Sequence, residues 1–198
     1  MKIGILGPGS IGATLARRLA TAGHGLTIAN SRGPEAIAAT ALETGACAAT
    51  ADGTLAGVDV AILSMPHSAF EKVRPFIVAP PAKTVVIDTA NHLPVRDGSN
   101  PEMQAGQVES EWVQDFFGRP VAKVWNAIAA GPFAGNASPE GDPDHIAVAI
   151  AADRENDREV AMMLINDTGF HGFDAGVLAQ SWRQQSGSPI YCTNLRFE

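Results

Sequence analysis

The chain has 198 residues, 45% of them hydrophobic and 18% charged, with a formal net charge of −7. This is ordinary globular composition, long enough for one domain with a real core, and the acidic balance argues against non-specific nucleic-acid binding. Two cysteines without metal-ligand spacing, Cys47 and Cys192, fit free thiols in a reducing cytosol, and no run of about 20 apolar residues is present to span a bilayer. The first apolar run already reads as a strand, so no secretory leader is expected and the protein is expected to be cytoplasmic.

That first run, residues 3–6, is short, apolar and bounded by glycine, as a buried parallel strand should be. Gly7, Pro8, Gly9, Ser10, Ile11 and Gly12 follow it with the glycine spacing of a dinucleotide-binding turn. Ile11, Leu15 and Leu19 then share one helical face, and Gly23 closes the helix. Its positive N-terminal end suits a pyrophosphate. A second strand over residues 26–29 ends at Asn30, Ser31 and Arg32, where an NAD enzyme would carry a carboxylate for the ribose diol. Arg32 can grip a 2′-phosphate bidentately and Ser31 can add a hydroxyl, which favours NADP; a solvated surface role for Arg32 is the plainer alternative.

Pro34 and Glu35 suit a helix start, and the alanine-rich residues 36–42 are good helix formers closed by Gly45. Residues 46–50 read as a short third strand, 58–66 as a fourth, 68–77 as a helix and 83–91 as a fifth strand. A long irregular loop over residues 92–110 leads to a helix at 111–117 and a strand at 121–128. A second long loop over residues 129–144 precedes a strand at 145–150 and an amphipathic helix at 155–168 through Val160, Met163 and Leu164. The chain then ends in a mostly polar tail. Strands alternating with helices mean α/β architecture: a Rossmann-type, doubly wound parallel sheet in a single domain, with a core over about residues 1–128 and a small C-terminal α/β extension over about 129–198.

Ligands in such folds sit beyond the carboxyl ends of the strands. Those ends supply Ser64, Met65, Pro66 and His67, then Asp88 to Asn91, then Trp125, Asn126, Ala127 and Ile128. His67 or His92 could donate a proton, although a helix-initiating or loop histidine accounts for either; Met65 could pack on a nicotinamide or simply fill core. The sequence shows no Ser–His–Asp arrangement, no metal-ligand cluster and no lysine placed as a base, so no catalytic side chain is assigned. Hydride transfer between two stacked redox cofactors needs little from such groups.

These residues resemble the family of NADP oxidoreductases related to the reductase that uses the deazaflavin coenzyme F420. The resemblance runs through residues 7–12, 30–35, 88–91 and 123–128, with Trp125 and Ala127 where the family tends to have Phe and Thr. It continues through 174–176, 181–185 and 189–193. It implies a dimer that binds NADP through Ser31 and Arg32 and passes a hydride between the nicotinamide and a deazaflavin or flavin. Residues 64–67 and 126–128 would line the cleft, and Trp182 and Tyr191 are expected near the dimer interface. No basic cluster stands ready for the anionic tail of the deazaflavin. The competing readings are an NADPH-dependent reductase of a small carbonyl, imine or ferric substrate, and a non-catalytic NADPH-binding redox sensor.

Overall fold

A computed structural model describes residues 1–142 and 144–196. Pro143, expected in the second long loop, and Phe197 and Glu198 of the tail lie outside the described residues. Eight strands, β1 (Lys2–Leu6), β2 (Gly25–Ala29), β3 (Cys47–Ala49), β4 (Val60–Leu63), β5 (Val85–Asp88), β6 (Ala122–Val124), β7 (Ala147–Ala152) and β8 (His171–Asp174), form one sheet. Their order is β3-β2-β1-β4-β5-β6-β7-β8, which reverses direction between β1 and β4 as a doubly wound sheet does.

β1 and β4 to β6 are apolar throughout or nearly so because helices cover both sheet faces. On one face α1 (Ser10–Thr21), α7 (Ala130–Gly135) and α8 (Glu155–Asp167) bury Leu15, Leu19, Phe133, Leu164 and Ile165 against Ile3, Ile5, Ile28, Ile62 and Ile87. On the other, α2 (Ala51–Leu55), α3 (Phe70–Val78) and α6 (Glu109–Phe117) bury Leu55, Phe70, Ile77, Val113 and Phe117 against Leu6, Ala61, Leu63 and Val86. Two single-turn helices, α4 (Pro94–Asp97) and α5 (Pro101–Gln104), lie in the loop expected over residues 92–110. Among the described residues no helix is long and apolar enough to cross a membrane.

Several expectations change, among them the long loop at 129–144, which contains α7. The sheet is not wholly parallel: β7 runs antiparallel to β6, and β8 pairs parallel to β7. Strand direction depends on where the chain re-enters the sheet, which local patterning does not encode. Residues 36–42 form no α-helix but two single 3₁₀ turns, Pro34–Ala36 and Ala39–Ala41, separated by extended Ile37 and Ala38. Asn30 Nδ2 donates to Ala36 O, a carbonyl that a continuing helix would need, and the segment is too short to offset helix nucleation. β6 is three residues long, not the eight expected over 121–128, because Trp125 takes a left-handed backbone with φ 58°. On α8, Met163 is exposed and Ala161, Leu164 and Ile165 face the core.

Candidate cofactor cleft and a buried ionic group

Gly7 turns the chain out of β1 with φ 103°, and a Cβ there would lie 2.2 Å from the Ser64 carbonyl oxygen. Gly12 is equally constrained, since its Cβ would meet the Gly7 carbonyl at 2.0 Å. Only glycine lets the end of β1, the start of α1 and the end of β4 pack this closely. Gly9 differs: a Cβ there would meet nothing within 4 Å, so this position faces open space. α1 starts at its side with no capping side chain and no acid in its first turn. Open approach to the backbone and uncompensated N–H groups fit a bound pyrophosphate.

From this turn a cleft of about 500 Å³ runs along the carboxyl edge of the sheet. Gly9, Ser10 and Ile11 form one end of its lining, and Ser64, Met65, Pro66, Asn91, Asn126 and Ile128 continue it. These are nine of the residues expected from the sequence, brought together from four strand ends. Trp125, named from the sequence at the same strand end, also lines it, as do Arg96, Tyr191 and Cys192, which sequence reasoning did not place there. The single tyrosine in a polar tail was the one available signal for Tyr191.

Asn30, Ser31 and Arg32 follow β2 on the same edge, outside this cleft lining. Asn30 braces the loop, accepting from the Arg32 N–H and donating to Ala36 O, both at 3.3 Å. Arg32 is left exposed, with no ion pair among the described residues. Its fit to a 2′-phosphate is therefore sterically open. Pro8 sits half-buried in the glycine turn.

Two expected residues lie elsewhere. Ala127 lines a separate apolar groove of about 360 Å³, which Ile128 shares, beside β7 and the tail. His67 is buried in a 3₁₀ turn, His67–Ala69, and its ring packs on Phe70, Trp112 and His92 rather than lining the cleft. Asn126 lines the cleft, but its side chain serves the protein. Its Nδ2 donates to Asn91 Oδ1 (3.0 Å) and Gln184 O (2.8 Å), and its Oδ1 accepts from Gln184 Nε2 (3.1 Å). Asn91 Nδ2 donates to Asn126 O at 2.8 Å. The pair is a rigid floor tied to the tail through Gln184, not a set of free ligand donors.

Behind that floor lies the group that the sequence reading missed. Lys123, on β6, is fully buried, and its ammonium donates to Asp88 Oδ2 (2.7 Å), Glu109 Oε1 (2.6 Å) and Ala90 O (2.5 Å). His67 Nε2 stands 3.7 Å from the same Glu109 oxygen, and neither ring nitrogen of His67 has a hydrogen-bond partner among the described residues. Ligand atoms of His67, Asp88 and Glu109 fall within 4.8 Å of one another, close enough for a metal ion, but a lysine ammonium already lies between the two carboxylates. Burial by itself would push the Lys123 ammonium down; attraction to Asp88 and Glu109 outweighs it and holds the group above its usual value. Burial likewise works against the Glu109 carboxylate, and the charge of Lys123 reverses this and holds it below the usual range. His67 is pushed down, chiefly by burial, and stays neutral. The signal was a lone lysine inside an apolar strand, which demands buried carboxylate partners.

Residues 2–92 match the family described as NADP oxidoreductase coenzyme F420-dependent. Over that stretch the chain carries this family's pattern. A 57-residue stretch, 29% of the chain, is 47% identical to the Escherichia coli K12 protein YjhV and spans 42% of it, less than half that relative's length. Among solved structures, the hypothetical protein SMa0349 of Sinorhizobium meliloti is 26% identical with a TM-score of 0.83, covering 100% of this chain and 96% of that one. A candidate F420-dependent NADP-reductase from Arthrobacter sp. FB24 is 23% identical with a TM-score of 0.67, covering 91% and 87%. The Mycobacterium tuberculosis 3-hydroxyisobutyrate dehydrogenase has a TM-score of 0.62 at 20% identity, covering 91% and 57%. The last two likenesses establish the Rossmann-type α/β fold.

Proposed function

We propose that the protein is an NADP(H)-dependent oxidoreductase that exchanges a hydride between the nicotinamide and a deazaflavin or flavin stacked over it. The observation that carries this reading is the continuous cleft from the open Gly9–Ser10–Ile11 turn to the ends of β4, β5 and β6, at the point where strand order reverses. The family match over residues 2–92 supports the same cofactor.

Within this reading, the start of α1 holds the pyrophosphate, and Ser31 and Arg32 hold the 2′-phosphate. Ser64, Met65 and Pro66 form the wall beside the nicotinamide, and the braced Asn91–Asn126 pair keeps its floor from moving. The cofactor, once bound, supplies the hydride; the chain contributes placement and exclusion of water. Among the described residues no carboxylate lines the cleft, and the one charged side chain lining it is Arg96.

Anaerobic turnover of NADPH with coenzyme F420, and with flavin mononucleotide in parallel, tests this reading. Catalytic reduction of either acceptor supports it. NADPH binding without turnover of either overturns the two-cofactor assignment. A second reading, reduction of a small carbonyl or imine, is favoured by Tyr191. Its phenol lines the cleft and, held above its usual value chiefly by burial with Cys192 beside it, is a neutral hydroxyl that can hydrogen-bond a carbonyl oxygen or imine nitrogen.

A further inference from the structure

Asp88, Glu109 and Lys123 place two carboxylates against one ammonium in a volume that water does not reach. Their remaining bonds go to neutral groups. Asp88 Oδ1 accepts from the Ala90 N–H and Glu109 Oε2 from the His92 N–H. His67, the nearest further titratable group, adds no positive charge, since burial favours its neutral form. The group therefore carries one excess negative charge.

That charge lies close behind the cleft. Ala90 lines the cleft, its carbonyl accepts from Lys123 Nζ at 2.5 Å, and its N–H donates to Asp88 at 2.9 Å. A single residue thus separates the ionic group from the ligand space. The charge of Glu109 also acts on Tyr191 in the cleft lining. Arg96, the one charged group among the described residues lining the cleft, does not cancel it, because Asp97 pairs with Arg96 at 2.8 Å. A buried charge is screened far less than a surface one.

We propose that the excess negative charge of the Asp88–Lys123–Glu109 group favours the oxidised over the reduced nicotinamide in this cleft, so that hydride transfer from bound NADPH to the acceptor is favoured over the reverse. The inference rests on the cofactor reading above. When NADPH gives up a hydride, two electrons and one proton leave together for the acceptor, a deazaflavin, flavin or carbonyl compound. The nicotinamide ring gains one positive charge. A fixed negative charge nearby stabilises that product and not the neutral ring, which lowers the potential of the bound couple.

Calorimetric titration of the full-length protein with NADP⁺ and with NADPH tests this without turnover. The wild type is expected to bind NADP⁺ more tightly than NADPH, apart from any acceptor. Glu109→Gln and Asp88→Asn each neutralise the excess charge and should shift the ratio of the two dissociation constants about tenfold toward NADPH. That shift equals about 30 mV in the two-electron potential. Glu102→Gln removes an exposed carboxylate and should leave the ratio within about twofold. An unchanged ratio in folded Glu109→Gln and Asp88→Asn, or tighter binding of NADPH by the wild type, would overturn the inference. Where neither variant folds, the wild-type ratio decides. Failure of the wild type to bind either nucleotide would overturn the cofactor reading itself, and the inference with it.

Discussion

Lys123 Nζ meets Glu109 Oε1 at 2.6 Å, across 14 residues of chain, with the lysine wholly out of water. The contact joins β6 to the first residue of α6, and Asp88 on β5 closes the group from the neighbouring strand. Each carboxylate also ties down a backbone N–H at the edge of the cleft. An ionic group of this kind is costly to break because the partner left behind stays buried.

Lys123→Met should therefore cost about 3–5 kcal/mol of stability, since it strands two buried carboxylates and the Ala90 carbonyl. Urea denaturation followed by far-UV circular dichroism measures this. A loss under about 1 kcal/mol, comparable to a surface ion pair, would show that the group contributes little.

Acidification should destabilise the fold in two stages. His67 is pushed down in the folded state, so below about pH 6.5 the unfolded chain binds the extra proton and stability falls. Glu109 is held low, so its contribution is present above the ordinary carboxyl range and disappears as pH falls through its folded value. The raised Lys123 contributes below about pH 10.4 and is lost only as pH rises through its higher folded value. His67→Phe should keep the aromatic packing and flatten the first acid stage. Thermal denaturation of both proteins between pH 7 and pH 5 checks the difference.

Arg32→Glu should weaken NADPH binding by roughly tenfold to a hundredfold while changing NADH binding little. It removes a charge-assisted contact to the 2′-phosphate and adds repulsion. Equal losses for both nucleotides would contradict the assignment of Arg32.

Gly9→Ala and Gly12→Ala should separate binding from folding. At Gly12 the added Cβ meets a backbone oxygen at 2.0 Å and should cost about 1–3 kcal/mol of stability. At Gly9 it meets nothing, and the backbone there is one alanine adopts readily, so stability should hold while nucleotide affinity drops. Denaturation and nucleotide titration of the two variants give the comparison.

Sedimentation equilibrium should show a homodimer of twice the 20.6 kDa chain mass. Trp182, half exposed at 52% and stacked under Arg183, is the aromatic that a partner would cover. Trp182→Glu should then yield monomers with the cleft intact, and a wild-type monomer would refute the assembly.

Much of the nucleotide half was legible in the chain. Gly9 and Gly12 act over a few residues, and Gly7 sets a local backbone angle with φ 103°, although its missing Cβ also makes room for Ser64 at the end of β4. The apolar runs of β1, β4 and β5 had no other environment open to them. β8 was missed because His171–Asp174 is short and half-exposed, and α2 because five residues carry too little pattern. The misreading of residues 36–42 has the same origin, since the Asn30 side chain holds the carbonyl that helix propensity would have used.

The sequence alone thus determined the glycine turn, the strand–helix alternation and the small polar residues at the strand ends, because each depends on neighbours a few positions away. The tertiary structure decided that β7 runs against β6, that His67 turns inward and that Asn126 is bound by Gln184. It also decided that Lys123 finds both Asp88 and Glu109. These outcomes rest on contacts between segments distant in sequence, and a buried charge takes its partners from whichever strand or helix the fold brings beside it.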